Sequence, residues 1–310
     1  MSTGVTRLLR VSLTVAEVAG AEAFYRDTLG FARVAAGEVG GPAWLRLMGA
    51  EGATARFVVM RLGAQELELV AFDPPGRPYP PASTAHDPWF QHVAIVVSDM
   101  AAAWARLQHA PIMPITRGGP QRLPPNTGSV TALKFRDPEG HPLELIAFPP
   151  GTGDPVWQHP TEGALFLGID HSAIVVRDPV RSARFYKGPL GLSELSHSIN
   201  DGPEQQRLDG TQGDVVDVVA LRPAAGTTPH VELLGYRVPP VGAVETDASV
   251  RDIAATRLVL QVERLSDIAA TLQVAGAGLI SPGMVALRDG SHGILVRDPD
   301  GHLLLLIQPP

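Results

Sequence analysis

Short runs of β-branched and aliphatic residues recur along the chain, and each opens the same sequence of patterns. The runs are Val11-Ser12-Leu13-Thr14-Val15, Val93-Ala94-Ile95-Val96-Val97, Ser172-Ala173-Ile174-Val175-Val176 and Leu258-Val259-Leu260-Gln261-Val262. Their length and composition predict strands. A segment with apolar or alanine positions at helical spacing follows, clearest in Met100, Ala103, Trp104 and Leu107, and predicts a helix packed on one face. Leu265 and Leu272 hold the positions of Met100 and Leu107 in the last copy. A Leu-Gly step such as Leu29-Gly30 or Leu190-Gly191 is expected to end the helix, because glycine accepts the left-handed conformation found there. Short alternating strands then close each copy, ending in Leu67-Glu68-Leu69-Val70, Leu143-Glu144-Leu145-Ile146, Val231-Glu232-Leu233-Leu234 and Leu304-Leu305-Leu306-Ile307. Each copy therefore reads strand, helix, then three strands.

Two further repeats tie the copies together. Phe24-Tyr25 and Phe185-Tyr186 lie in matching helices, and the turn Arg136-Asp137-Pro138-Glu139-Gly140-His141 returns as Arg297-Asp298-Pro299-Asp300-Gly301-His302. In that turn proline presets one dihedral and glycine takes the positive φ. Proline- and glycine-rich connectors separate the copies, at 73–81, 149–155 and 239–242. The expected organisation is a first domain over 1–148 (modules 7–73 and 90–148), a linker over 149–167, and a second domain over 168–310 (modules 168–238 and 255–310). The fold class expected is α+β, with four βαβββ modules pairing into two curved, partly closed mixed sheets.

Composition narrows the chemistry. The 310 residues are 45% hydrophobic and 18% charged, which suits a soluble globular protein with a large core. A net charge of −7 without a basic run leaves no electrostatic footing for nucleic acid or an anionic membrane. The absence of cysteine removes disulfides, thiolate metal sites and a cysteine nucleophile together. No apolar run approaches the ~20 residues of a membrane span, and the N-terminus lacks a secretory cleavage pattern, so a cytoplasmic protein is expected.

The strongest chemical signal is a motif repeated at one spacing, His-x-x-Ile-Val-Val-x-Asp, at His92 to Asp99 and at His171 to Asp178. Each copy is followed downstream by a strand with a lone glutamate, Glu144 or Glu232. A histidine alone at a strand start is usually a packing residue, and a glutamate in a half-exposed strand usually faces solvent. The same pair at the same register in two copies points instead to a metal site. Glu68 has the same local setting but follows Arg10, and an Arg10–Glu68 ion pair is the simplest expectation there. His141 and His302 are expected to be structural. His292, His197, His230, His86, His109 and His159 have no supporting spacing and are assigned mostly to the surface. Trp44, Trp89, Trp104 and Trp157 are expected to be core or linker anchors, with Trp89 beside the metal-site strand the exception to watch.

The four modules, the Phe-Tyr helix and the Asp-Pro-x-Gly-His turn resemble the vicinal oxygen chelate superfamily, from about Arg7 to Gln308. That group includes glyoxalase I, extradiol dioxygenases and bleomycin resistance proteins. The resemblance implies that metal ligands come from the start of each module's first strand and the middle of its last. Carried over, these positions are Arg10 and Glu68, His92 and Glu144, His171 and Glu232, and Arg257 and Leu305. Arginine stays protonated and leucine has no donor atom, so the outer modules depart from the pattern. Pairing modules one with two and three with four would give Glu68, His92 and Glu144 in one site and only His171 and Glu232 in the other. Pairing two with three, the arrangement expected, gathers His92, Glu144, His171 and Glu232 as metal ligands. The implied cofactor is one divalent ion (Ni, Zn, Mn, Fe or Co), and Glu232 or Glu144 is the implied catalytic base.

The resemblance thus implies a glyoxalase-like lyase or isomerase acting on a small substrate with vicinal oxygens through an enediolate-type intermediate. An extradiol-type ring-cleavage dioxygenase and a non-catalytic small-molecule-binding protein are the alternatives. The only expected partners are that small molecule and, in a homodimer, a second copy; a monomer is equally compatible.

Overall fold

The structure is a computed structural model, and it describes residues 4–39, 41–226, 228–238, 241–242 and 248–310. The linker prolines Pro239 and Pro240 lie outside the described residues.

The first module comprises β1 (Val5–Thr14), α1 (Val18–Leu29), β2 (Ala32–Glu38), α2 (Pro42–Leu47), β3 (Thr54–Leu62) and β4 (Gln65–Asp73). The second comprises β5 (Gln91–Val97), α3 (Met100–Leu107), the short strands β6 (Met113–Pro114) and β7 (Gln121–Arg122), β8 (Thr131–Arg136) and β9 (Pro142–Ala147). The third comprises β10 (Phe166–Val175), α4 (Pro179–Lys187), β11 (Ser193–Asn200), α5 (Gly202–Asp209), β12 (Val215–Arg222) and β13 (His230–Val238). The fourth comprises β14 (Thr256–Val262), α6 (Leu265–Val274), β15 (Gly278–Leu279), β16 (Val285–Ala286), β17 (His292–Arg297) and β18 (Leu303–Gln308). No described helix is long and apolar enough to cross a membrane.

The modules form two nine-stranded mixed sheets that stay open, and the fold is α+β. One sheet joins the first and fourth modules through antiparallel β1 and β14; the other joins the second and third through antiparallel β5 and β10. Within every module the first strand runs parallel to the last. Each sheet therefore takes one module from either side of 149–167.

Local chemistry explains the repeated signatures. The aspartate that ends the duplicated motif caps the next helix: Asp99 accepts from the Ala102 N–H, and Asp178 from those of Val180 and Arg181. Such caps satisfy the orphan amides of a first turn. Gly30 ends α1 in the left-handed conformation (φ 77°). In the third module the helix stops earlier, at Lys187, because Pro189 disfavours a helical Gly188 and cannot donate its own amide. Gly191 still adopts φ 69°, and its Cα faces Gly4 so closely that a Cβ would meet that backbone at 3.0 Å.

The tyrosine of the helix pair and the turn that carries histidine prove to be two halves of one joint. Tyr25 donates to Asp137 (3.1 Å), His141 Nδ1 contacts the same carboxylate (2.9 Å), and His141 Nε2 reaches the carbonyls of Thr14 and Ile253. The second copy matches it: Tyr186 donates to Asp298 (2.8 Å) and His302 Nε2 reaches the Val175 carbonyl (2.6 Å). Both joints cross between sheets. A single buried cluster spans both sheets and the helices α1, α3, α4 and α6.

Candidate metal centre

The sheet that joins the second and third modules places the ionisable residues in two rows. Because β5 and β10 are antiparallel, Ala94 faces His171 and His92 faces Ala173. Parallel pairing then sets Glu144 beside Ala94, His230 beside His171 and Glu232 beside Ala173. Lys134 lies opposite Glu144 on β8. One row thus reads Lys134, Glu144, Ala94, His171, His230, and the next His92, Ala173, Glu232. Side chains on one face alternate along each strand, so these groups share a face. Ala94 and Ala173 leave room between the larger side chains, a second regularity inside the duplicated motif.

All four residues expected as ligands line one cavity of about 600 Å³. His92, Glu144 and His171 are buried, and their donor atoms lie within 4.8 Å of one another. His92 Nε2 is 2.9 Å from Glu144 Oε2, and His171 Nε2 is 3.5 Å from Glu232 Oε2. Ligand atoms around an octahedral ion at ~2.1 Å would stand about 3 Å apart when adjacent and about 4.2 Å when opposed, so the spacing of His92, Glu144 and His171 fits a small divalent ion, while Glu232 lies outside that group. His92 Nδ1 is buried without a hydrogen-bond partner, and Nε2 has the Glu144 carboxylate beside it in place of a well-aligned hydrogen bond. Orphaned buried donors of this kind demand an account, and convergence on an ion supplies one.

The electrostatics agree. Burial, reinforced by the Lys134 ammonium, holds the His92 imidazole below its ordinary pKa, which leaves it neutral as a ligand must be. Burial pushes His171 the same way, but Glu232 and Asp170 overcome this and raise it to about 9. In the absence of an ion, His171 is itself the cation between carboxylates. Burial also works against the Glu232 anion, yet His171 and His230 bring its pKa down to about 2. Lys134 does not usurp the site: its ammonium bonds Asp209 at 2.6 Å and stands 4.0 Å from Glu144.

Two further neighbours were not foreseen from the sequence. His230, assigned to the surface, is buried with Nε2 3.4 Å from Glu232 Oε1 and Nδ1 3.9 Å from Asp170 Oδ2. Asp170 accepts from His171 Nδ1 (2.9 Å) and from the Trp157 indole N–H (2.6 Å), so the linker tryptophan anchors a carboxylate that orients a candidate ligand. Trp89 bonds Ser83 and lines a smaller cavity away from this centre.

The corresponding face of the other sheet carries no such constellation among the described residues. Arg10 pairs with Glu68 at 3.3 Å. Arg257 is fully buried, bonded to Ser12, Thr14 and the Val250 carbonyl, and burial lowers its pKa to about 10. Val259, Leu295 and Leu305 occupy the positions of Ala173 or Ala94, Lys134 and Glu144, and pack with Leu47, Met48 and Phe72. Aliphatic side chains fill the space that the other sheet leaves open.

Comparison with known proteins accords with this architecture. The chain matches the Glyoxalase/Bleomycin resistance protein/Dioxygenase superfamily over residues 7–145 and again over 168–306. It belongs to that superfamily. Among solved structures, glyoxalase I from Zea mays aligns with a TM-score of 0.63 at 16% identity, covering 97% of this chain and 92% of that one. A putative dioxygenase from Bacillus subtilis subsp. subtilis str. 168 aligns with a TM-score of 0.59 at 16% identity, covering 100% and 87%. At such identities the likeness shows the fold alone. Among curated proteins, none matches the sequence.

Proposed function

We propose that this chain is a metal-dependent lyase or isomerase of the glyoxalase type, acting on a small substrate with vicinal oxygens. The observation that carries the reading is the convergence of buried His92, Glu144 and His171 on one point, with His92 otherwise unpartnered. His92, Glu144, His171 and Glu232 would hold one divalent ion (Ni, Zn, Mn, Fe or Co). Bound there, the ion supplies Lewis acidity that stabilises negative charge on the substrate's vicinal oxygens as a carbon-bound proton departs.

The chain's own residues divide the remaining work. Glu232 is the base: its side chain is 20% exposed against 8% for Glu144, so a substrate in the cavity reaches it more readily. The neighbouring imidazoles His171 and His230 keep it ionised, and Oε2 becomes basic enough to take a proton only as its contact with His171 is relieved. His230 holds the other carboxylate oxygen, and Asp170 fixes the ring of His171.

A second reading has its own support. His92, Glu144 and His171 form the tightest group, and two histidines with one carboxylate suit an extradiol-type dioxygenase. Glu232, beside His171 and more open to the cavity, favours the lyase. Metal content by mass spectrometry, with an anomalous-scattering map of crystals, tests both: one ion per chain beside His92 and His171 is expected. No ion there sinks both readings in favour of a non-catalytic binding protein. Isomerisation of an α-ketoaldehyde hemithioacetal against oxygen uptake with catechols then separates the two enzymes.

A further inference from the structure

An arginine stands at the same register in all four modules. Arg61 lies opposite Glu66, Arg136 opposite Pro142 and Arg297 opposite Leu303. Following the β12–β13 register one step beyond Leu221↔Val231 sets Arg222 opposite His230. Three of these guanidinium groups are committed. Arg61 pairs with Glu66 at 2.7 Å. Arg136 donates to the carbonyls of Gly140 and Ser83, and Arg297 to those of Gly301 and Ala248. Arg222 has no hydrogen bond or ion pair among the described residues, although it is half-buried and lines the candidate metal cavity. Where the first module supplies Glu66 as the facing partner, the third supplies His230, whose buried Nδ1 makes no hydrogen bond and has Asp170 Oδ2 3.9 Å away.

The other charged groups nearby are already engaged. Lys134 bonds Asp209, Asp170 accepts from Trp157 and His171, and Glu232 contacts His171 and His230. We infer that Arg222, with the neighbouring edge of His230, is the recognition site for a carboxylate carried by the substrate of this same cavity. The inference rests on the proposed function for what reacts, and adds what is recognised. A guanidinium fork matches the planar geometry of a carboxylate. Asp170 and Glu232 lie 3.9 and 3.4 Å from His230, and they repel a doubly charged phosphate monoester more than a singly charged carboxylate. His230 and Glu232 are two residues apart on one strand, so the subsite lies about 7 Å from the proposed base. Ile146, Phe148, Leu208, Val216 and Val218 line the same cavity and suit an apolar body between the carboxylate and the reacting oxygens. The substrate class is therefore an apolar carboxylic acid that also bears vicinal oxygens.

The test is binding of phenylacetate against its neutral isostere phenylacetamide, by calorimetry, to chelator-treated protein and to protein loaded with Mn²⁺. Phenylacetate is expected to bind at least tenfold more tightly than the amide in both forms. Arg222→Gln is expected to erase that preference, leave amide affinity unchanged, and leave Mn²⁺ binding by electron paramagnetic resonance unaltered. Equal affinities in the wild type, no binding of either compound, or a preference that survives R222Q each overturn the inference. Failure of the wild type to bind Mn²⁺ overturns the metal reading instead, and the chelator-treated arm still decides the carboxylate site.

Discussion

Glu232 and His92 are set apart by what surrounds them, and the difference predicts different losses. Glu232→Gln keeps three candidate donors and removes the base, so turnover should fall about 10²- to 10⁴-fold while metal content persists. His92→Ala removes a buried donor that faces Glu144 at the centre, and metal affinity itself should fall. Parallel metal analysis and kinetics of the two variants check this split; equal metal loss in both would remove Glu232 from the role of base. The candidate ligands were legible because the repeat placed a histidine and a glutamate at one register twice. Lys134, Asp170, His230 and Arg222 were not. Lys134 and Arg222 matter through neighbours on another strand, such as Lys134 through its place opposite Glu144, and Asp170 and His230 through the candidate ligands His171 and Glu232 beside them; neither setting is written in a repeat. The alanine two residues after each histidine was visible in the motif, but its use as a spacer emerges only once β5 and β10 are paired.

Among the elements, the joint formed by α1 and the β8–β9 turn has two consequences. Tyr25→Phe deletes a buried hydrogen bond to a carboxylate and should cost about 1.5–3 kcal/mol, read as a lower urea midpoint with unchanged metal content. The joint also titrates. Burial disfavours the charged forms of Asp137 and His141, yet their pairing prevails, holding the Asp137 carboxyl below and the His141 imidazole above their ordinary values. The His141 contribution is therefore fully present below pH 6.5 and is lost as pH rises through its raised folded pKa. The Asp137 contribution is present above pH 3.8 and lost as pH falls through its lowered one. Unfolding of metal-free wild type and His141→Asn between pH 6 and 9 should show a stability difference that shrinks with rising pH; a constant difference would contradict the pairing. Sequence patterns exposed the helix and the turn as separate repeats. That they meet depended on which modules share a sheet, which strand and helix propensities do not encode.

For the whole molecule, the two sheets follow one plan with opposite contents. The chain should bind one ion. Glu68→Gln should leave that stoichiometry unchanged, because Glu68 is engaged with Arg10; Glu68 is buried, so removing its charge should cost about 1–3 kcal/mol. Metal titration followed by denaturation of E68Q checks both, and a drop in stoichiometry would move the centre to the other sheet. The pairing of the second module with the third followed from asking where intact ligand pairs could gather. The filled face of the companion sheet was foreshadowed by Arg10, Arg257 and Leu305, while its lining by Leu47 and Met48 depended on the placement of α2.

The nesting of the modules also sets an order in time. Strands β5 and β10, with their flanking partners, come from one uninterrupted stretch ending at Val238, whereas β1 must wait for β14, which begins at Thr256. During synthesis from the N-terminus, the sheet that carries the candidate centre can be assembled while the first module still lacks its partner strand. The β1 edge and the apolar face beside it are then exposed until the last module emerges, and that interval is when the nascent chain is most open to mispairing with a second copy.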